Sequence, residues 1–181
     1  VVITAANLVL ERRLPKIEPM HTLVTEPIGR AIVETRRAGE RYPWAPVLFI
    51  VSLVVCAVAT KALGLPLAYA FAAYGILGVG DAASALIGIA YGKRKLPWNR
   101  RKTIEGTTAG LAGGFASAVL FAAADYAFRG DVLPAAFLAV ALAGAVVGAA
   151  LETLPGVQDN LVVPMGSWAV MVGLGVALGV L

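Results

Sequence analysis

The sequence predicts an all-α fold, a polytopic bundle of transmembrane helices with an additional amphipathic helix at the membrane interface. The 181 residues are 59% apolar and only 14% charged, with a mean hydropathy of +0.82. A soluble domain averages about 45–50% apolar and about 25% charged. The apolar residues fall into long runs, and the cations cluster between them. This composition excludes a soluble enzyme and a disordered tail, and the single Cys56 excludes an internal disulfide.

Each long apolar run is interpreted as one membrane span, because a helix needs about 20 apolar residues to cross a bilayer. The runs are too long, and lack the alternation, for strands of a membrane barrel. Residues 1–181 then form a single membrane domain. Residues 1–10 look like the end of an earlier span, and we expect further sequence before Val1. The predicted spans lie near 46–63, 67–90, 107–127, 133–151 and 161–181.

Residues 16–42 are interpreted as an interfacial helix rather than a span. Apolar residues such as Ile17, Met20 and Val24 recur at helical spacing, and Pro27 should bend or break the helix.

The cations are distributed unevenly between the two sides of the predicted bundle. If the spans alternate in direction, 13 of the 15 Lys and Arg residues fall on one side, and only Lys61 and Arg129 fall on the other. The positive-inside rule makes the richer side cytoplasmic. Residues 91–106 and 152–160 should therefore both be cytoplasmic. No nucleic-acid partner is expected, because the positive charge follows membrane topology.

Small residues at four-residue spacing predict close packing of three helices. These faces are Gly106–Gly110–Gly114, Gly144–Gly148 and Gly175–Gly179. Continuing the second face by four residues reaches Glu152, whose carboxylate should therefore point into the bundle. The sequence leaves the oligomeric state open, and a homo-oligomer is possible.

Asp81 is a carboxylate within a predicted span. A charge at membrane depth costs at least about 2.5–3.5 kcal/mol, so such residues are usually buried in protein and functional. We expect Asp81 to belong to a functional site, the alternative being a structural polar contact between helices.

A basic stretch follows this span, with cations from Lys93 to Lys102. It could set topology or attract anionic lipids. It could also bind polyphosphate, because the next span opens at Thr103 to Gly106 and a helix N-terminus offers unpaired amides and a positive dipole end.

The third polar cluster runs from Glu152 to Pro164. Asp159 and Asn160 sit at the start of the last span, where either could be its N-cap, with Pro164 still in the first turn. Carboxylate and amide oxygens beside a phosphate site also suit Mg²⁺. Because all three clusters fall on one predicted side, we expect one site at the cytoplasmic membrane surface.

In their order and content, these motifs resemble the CTP-dependent lipid kinases, the family of dolichol kinase, phytol kinase and the CTP-dependent diacylglycerol kinases. The resemblance covers residues 40–181. The Lys102-Thr103 pair before Glu105-Gly106 is more similar to phosphatidate cytidylyltransferase, a distant relation. The motifs that carry the resemblance are Gly80-Asp81-Ala82-Ala83-Ser84, Tyr91-Gly92-Lys93, Lys102-Thr103-Ile104-Glu105-Gly106-Thr107, Glu152 and Asp159-Asn160-Leu161-Val162-Val163-Pro164.

The resemblance implies a multi-pass membrane transferase that moves the γ-phosphoryl group of CTP to a lipid alcohol, with Mg²⁺ or another divalent cation as cofactor. Two alternatives stay open: synthesis of a CDP-lipid from CTP, and a non-enzymatic transporter or scaffold. The expected catalytic residues are Asp81, Glu105, Glu152 and Asp159, of which Asp81 and Asp159 would hold the metal. The expected nucleotide-binding residues are Lys93, Lys95, Arg101, Lys102, Thr103, Gly106 and Asn160.

Overall fold

The computed structural model describes residues 44–180, with side chains from Val47 onward. No strand occurs in this part of the chain, where the only β-type pairing is an isolated bridge between Lys95 and Thr103. The all-α prediction is therefore confirmed. The predicted helix over 16–42 and span end over 1–10 lie outside the described residues. The helices are α1 (Trp44–Ala62), α2 (Ala68–Tyr91), α3 (Ile104–Phe128), α4 (Phe137–Glu152) and α5 (Asp159–Leu178).

Three of these helices, α2, α3 and α5, are long and apolar enough to cross a membrane. The chain is therefore a membrane protein. Val47–Ala62 of α1 and all of α4 are apolar but shorter. At 1.5 Å per residue the 16 residues of α4 extend about 24 Å, less than the roughly 30 Å of a hydrocarbon core. For α1 and α4, spanning stays a prediction.

The helix ends depart from the predicted spans where local chemistry decides them. Helix α4 begins four residues later than its predicted span because Pro134 opens a short turn of i to i+3 bonds, among them Phe137 N–H to the Pro134 carbonyl at 2.9 Å. Helix α5 ends at Leu178 because Gly179 adopts a left-handed conformation with φ 63°. Gly179 is thus a helix cap, and the prediction that it packs against another helix is wrong, because nothing lies within 4 Å of its Cβ position. Gly175 of the same predicted face does pack, since a Cβ there would meet the Tyr69 side chain of α2.

Glycines bring the backbones of α2 and α3 together, as the spacing of Gly106, Gly110 and Gly114 predicts. A Cβ atom at Gly106 would lie 2.7 Å from the Ser84 carbonyl oxygen, and one at Gly110 would lie 3.2 Å from the Gly80 carbonyl oxygen. No larger side chain fits between these helices, so α3 is fixed in register against α2. The second predicted face also packs, since a Cβ at Gly148 would meet Ser167 Oγ at 2.7 Å.

Aromatic side chains fill the core at one end of the bundle. Tyr69 and Phe137 are fully buried and meet edge to face, with ring centroids 5.3 Å apart. At the same end, Asp125 Oδ2 accepts a 3.0 Å hydrogen bond from the Ala68 amide, one of the donors that the start of α2 would otherwise leave unpaired. The opposite end carries the predicted site.

Helices α1 and α5 are joined by buried hydroxyl groups. Pro164 has no N–H, so the carbonyl of Asn160, four residues earlier, lacks its helical donor. The Ser52 hydroxyl of α1 lies 2.8 Å from that carbonyl oxygen and supplies a replacement. Further along, Trp168 Nε1 donates to Thr60 Oγ1 at 2.8 Å. These contacts place the start of α5 beside α1.

Candidate functional site

The three polar clusters meet at one end of the bundle, as the sequence predicts. Residues 92–103 form a hairpin between α2 and α3 that reaches the connection between α4 and α5. Lys102 Nζ lies 2.5 Å from Glu152 Oε1 and 3.9 Å from Asp81 Oδ1. One lysine thus connects a carboxylate of α2 with a carboxylate at the end of α4, more than 70 residues apart in sequence.

Glu152 is the buried member of this cluster. Its side chain is only 9% exposed, as expected from its place on the packed face of α4, whereas that of Asp81 is 52% exposed. A buried carboxylate needs a partner because removing an isolated charge from water is costly. The ammonium of Lys102 provides that partner, and Asp81 faces the outside of the same cluster.

The charges around Lys102 determine its protonation. Burial alone would lower the pKa of Lys102, but the carboxylate of Glu152, which also hydrogen-bonds to the ammonium, and the carboxylates of Asp81 and Asp159 raise it. The net effect is a pKa above the ordinary value. Lys102 is therefore a cation at any physiological pH. Three carboxylates act on this single ammonium, which makes the cluster negative overall.

The hairpin that carries Lys102 is held by its own backbone. Leu96 N–H donates to the Lys102 carbonyl at 3.1 Å, Ile104 N–H donates to the Arg94 carbonyl at 2.9 Å, and Leu96 is buried beneath the turn. Lys102 is consequently fixed at the base of a short antiparallel loop rather than on a free chain segment.

Asn99 attaches this hairpin to α4 and was not predicted as a site residue. Its Nδ2 group donates to the Thr153 carbonyl at 3.1 Å, and its Oδ1 accepts from Arg101 N–H at 3.1 Å. The Thr153 carbonyl lies at the C-terminal end of α4, where helices leave acceptors unpaired. Asparagine is a turn residue, which accounts for its local contact with Arg101. Nothing in the sequence specifies its contact with Thr153.

Glu105 is placed apart from the Lys102 cluster. Its Oε2 accepts from the amides of Lys93 and Arg94 at 3.2 Å each, and its Oε1 pairs with Arg94 Nε at 3.1 Å. The carboxylate therefore closes the base of the hairpin. This geometry gives Glu105 a structural role, and of the two glutamates only Glu152 lies beside Lys102. The catalytic role of Glu105 stays a prediction.

The start of α3 differs from the expected phosphate site. Thr103 is the N-cap, and its Oγ1 accepts from Gly106 N–H at 3.1 Å. The amides of Ile104 and Thr107 donate to the carbonyls of Arg94 and Thr103. The amides of Ile104 and Gly106 are therefore paired within the protein and not unpaired as expected. Thr103 and Gly106 shape the junction of the hairpin with α2 and α3. Their role in binding a nucleotide stays a prediction.

The start of α5 also corrects an expectation. Asp159 is the first residue of the helix and Gln158 is its N-cap, without a side-chain capping bond. Neither Asp159 nor Asn160 is the N-cap, and Pro164 lies beyond the first turn. A carboxylate in the first turn is favoured by the helix dipole. Asp159 also lies close enough to act electrostatically on Lys102 and Asp81, so α5 contributes a charge to the cluster.

The other predicted nucleotide-binding cations, Lys93, Lys95 and Arg101, have exposed side chains on the outside of the hairpin. Their role in binding a nucleotide stays a prediction, as does that of Asn160, whose backbone carbonyl is engaged by Ser52.

The residues present fit a divalent cation only in part. Within residues 44–180, no group of three or more His, Cys, Asp or Glu side chains is positioned to hold a metal ion. Mg²⁺ commonly takes one or two carboxylates and completes its coordination with phosphates and water. Asp81 and Asp159, which belong to one electrostatic cluster, match that smaller requirement.

No protein-family model, curated protein or solved structure matches this chain.

Proposed function

We propose that this membrane protein transfers the γ-phosphoryl group of CTP to the hydroxyl group of a lipid alcohol of polyprenol, phytol or diacylglycerol type. The observation that carries the proposal is the Lys102 cluster, in which Asp81, Lys102 and Glu152 from separate segments meet at one end of the bundle. A water-soluble nucleotide and a lipid head group can both reach such a place. The motif resemblance to CTP-dependent lipid kinases supports the same reaction, and we propose the cytoplasmic side for it.

The chemistry needs positioning and charge neutralisation more than covalent work by the protein. The lipid hydroxyl oxygen bonds to the γ-phosphorus, the bond from that phosphorus to the oxygen shared with the β-phosphate breaks, and CDP leaves. Lys102 would neutralise phosphate charge. Its move from Glu152 to the phosphates would free that carboxylate to accept the hydroxyl proton.

A divalent cation held by Asp81 and Asp159 would neutralise charge on the β- and γ-phosphate oxygens when bound. The partial exposure of Asp81 leaves its carboxylate accessible from outside the bundle. Glu152, by contrast, is buried and paired, which suits proton transfer better than metal binding.

The test is an assay of the purified full chain with Mg²⁺, a panel of lipid alcohols, phosphatidic acid as a separate acceptor, and CTP labelled at either the α- or the γ-phosphate. We expect the γ-label in the lipid product and CDP in solution. Transfer of the α-label to phosphatidic acid, with release of pyrophosphate, would instead identify CDP-lipid synthesis. Absence of turnover with every alcohol and with phosphatidic acid would contradict both enzymatic proposals and favour a transporter or scaffold.

A further inference from the structure

The outside of the hairpin over residues 92–103 carries a basic face that the Lys102 cluster does not use. Trp98 at its tip is 59% exposed. Besides Arg94, which pairs with Glu105, the hairpin exposes four cations, and none of these four has an ion-pair partner within the described part of the chain. The basic face consists of Lys93, Lys95, Trp98, Arg100 and Arg101.

The hairpin presents this face in a fixed position. Leu96 is buried beneath it, Asn99 is bonded to the end of α4, and Glu105 holds its base through Arg94. Trp98 stays exposed although an apolar core lies in the same bundle. The Trp98 ring is therefore available to the environment that surrounds the hairpin.

The position of the hairpin identifies that environment. It joins the last residue of α2 to the first residue of α3, two helices long enough to cross a membrane, so it lies at a membrane boundary. Tyr91, at the end of α2, is also exposed, at 67%. Tryptophan and tyrosine concentrate at membrane interfaces, and clustered cations beside a span attract anionic head groups.

We propose that the basic face binds the anionic phospholipid head groups of the membrane that contains the protein. Charge complementarity supplies the attraction, and the Trp98 ring enters the interfacial layer. A nucleoside triphosphate could also attract these cations and stack its base on Trp98. The place of Tyr91 at the end of a span, with Trp98 in the loop that follows, favours the membrane interface. This proposal does not depend on the proposed phosphoryl transfer.

The experiment places the full chain in nanodiscs of phosphatidylcholine with an increasing fraction of phosphatidylglycerol. The fluorescence difference between wild type and Trp98→Phe isolates the Trp98 signal from the other two tryptophans. We expect a blue shift of this signal as the anionic fraction rises. Native mass spectrometry of co-purified lipids gives a second measurement that needs no tryptophan variant, and we expect enrichment of phosphatidylglycerol over phosphatidylcholine.

Arg100→Gln should reduce that enrichment about fivefold, the effect of one cation near an anionic surface. Arg100→Lys is the matched control, since it keeps the positive charge at the same exposed position, and it should leave the enrichment unchanged. Equal binding of both lipids by the wild type would overturn the proposal. The proposal would also be overturned if the Trp98 fluorescence did not shift with phosphatidylglycerol but shifted on addition of CTP with Mg²⁺. That result would assign the basic face to the nucleotide. Loss of the proposed kinase activity would leave these lipid measurements unaffected.

Discussion

Lys102 is the residue on which the electrostatics of the site depend. Its ammonium is the charged partner of Glu152, whose carboxylate is nearly inaccessible to water. Breaking such a pair by removing one partner is strongly destabilising, by about 3–5 kcal/mol, because it leaves a buried charge uncompensated. The lysine is therefore needed for the fold at this end of the bundle, in addition to its proposed contact with phosphate.

The raised pKa of Lys102 predicts how this contribution depends on pH. A group whose pKa is raised in the folded state stabilises the fold fully below its ordinary pKa, about 10.4 for lysine, and the effect is lost as the pH rises through the folded value. We expect the difference in unfolding free energy between wild type and Lys102→Met to be constant near neutral pH and to shrink in strong alkali.

Unfolding of the detergent-solubilised proteins over a pH series measures this difference. Lys61→Met is the control, because the Lys61 side chain is exposed and its removal should have little effect at any pH. A Lys102→Met effect that persists or grows through the alkaline range would show that the ion pair is not its source.

Among the secondary-structure elements, the hairpin over residues 92–103 positions Lys102, and its attachment through Asn99 can be tested. Asn99→Asp keeps the acceptor for Arg101 N–H but loses the donor to the Thr153 carbonyl. We expect the amides of Leu96 and Lys102, which hold the hairpin, to exchange roughly fivefold faster, corresponding to about 1 kcal/mol for one hydrogen bond. Hydrogen exchange followed by mass spectrometry measures this, with Arg100→Gln as control. Unchanged protection would mean that the hairpin stays closed without Asn99.

The pairing of α2 with α3 depends on backbone proximity at glycine. Gly106→Ala should destabilise the protein by about 1–3 kcal/mol, because the new Cβ would lie 2.7 Å from the Ser84 carbonyl oxygen and the helices must separate. Gly78→Ala is the matched control, since nothing lies within 4 Å of its Cβ position. It should be neutral or stabilising by up to about 1 kcal/mol. Equal effects of the two variants in thermal unfolding would argue against close packing at Gly106.

At the scale of the whole molecule, the sequence predicted the helices, because the length of the apolar runs determines them. It also predicted that the polar clusters meet at one end, because successive helices alternate in direction. It also predicted that Glu152 points inward from the spacing of Gly144 and Gly148. It did not predict the contact of Asn99 with Thr153 or the engagement of Glu105. These two contacts depend on the path of a short loop in the tertiary structure, and a loop has no repeating sequence pattern from which that path could be predicted.

The same topology predicts which segments share a side of the membrane. Because the hairpin contacts the end of α4, cysteines replacing Arg100 and Leu154 should lie on the same side of the membrane and react alike with a thiol reagent. A cysteine replacing Asp131 should lie on the other side. Buried Cys56 should not react. Applying an impermeant thiol reagent to intact cells should label position 131 alone if the cationic side is cytoplasmic. Labelling of positions 100 and 154 but not 131 would reverse the proposed orientation.

The central claim is that the Lys102 cluster performs phosphoryl transfer, and the most direct measurement compares two carboxylates at opposite ends of the bundle. In an assay with γ-labelled CTP, Mg²⁺ and the accepting lipid alcohol, Asp131→Asn should match wild type, because Asp131 pairs only with Arg129 in the described structure. Asp81→Asn should lower the rate at least about a hundredfold, as expected for the loss of a group that stabilises transition-state charge, while circular dichroism shows the same helix content. An Asp81→Asn protein that labels the lipid at the wild-type rate would contradict the claim.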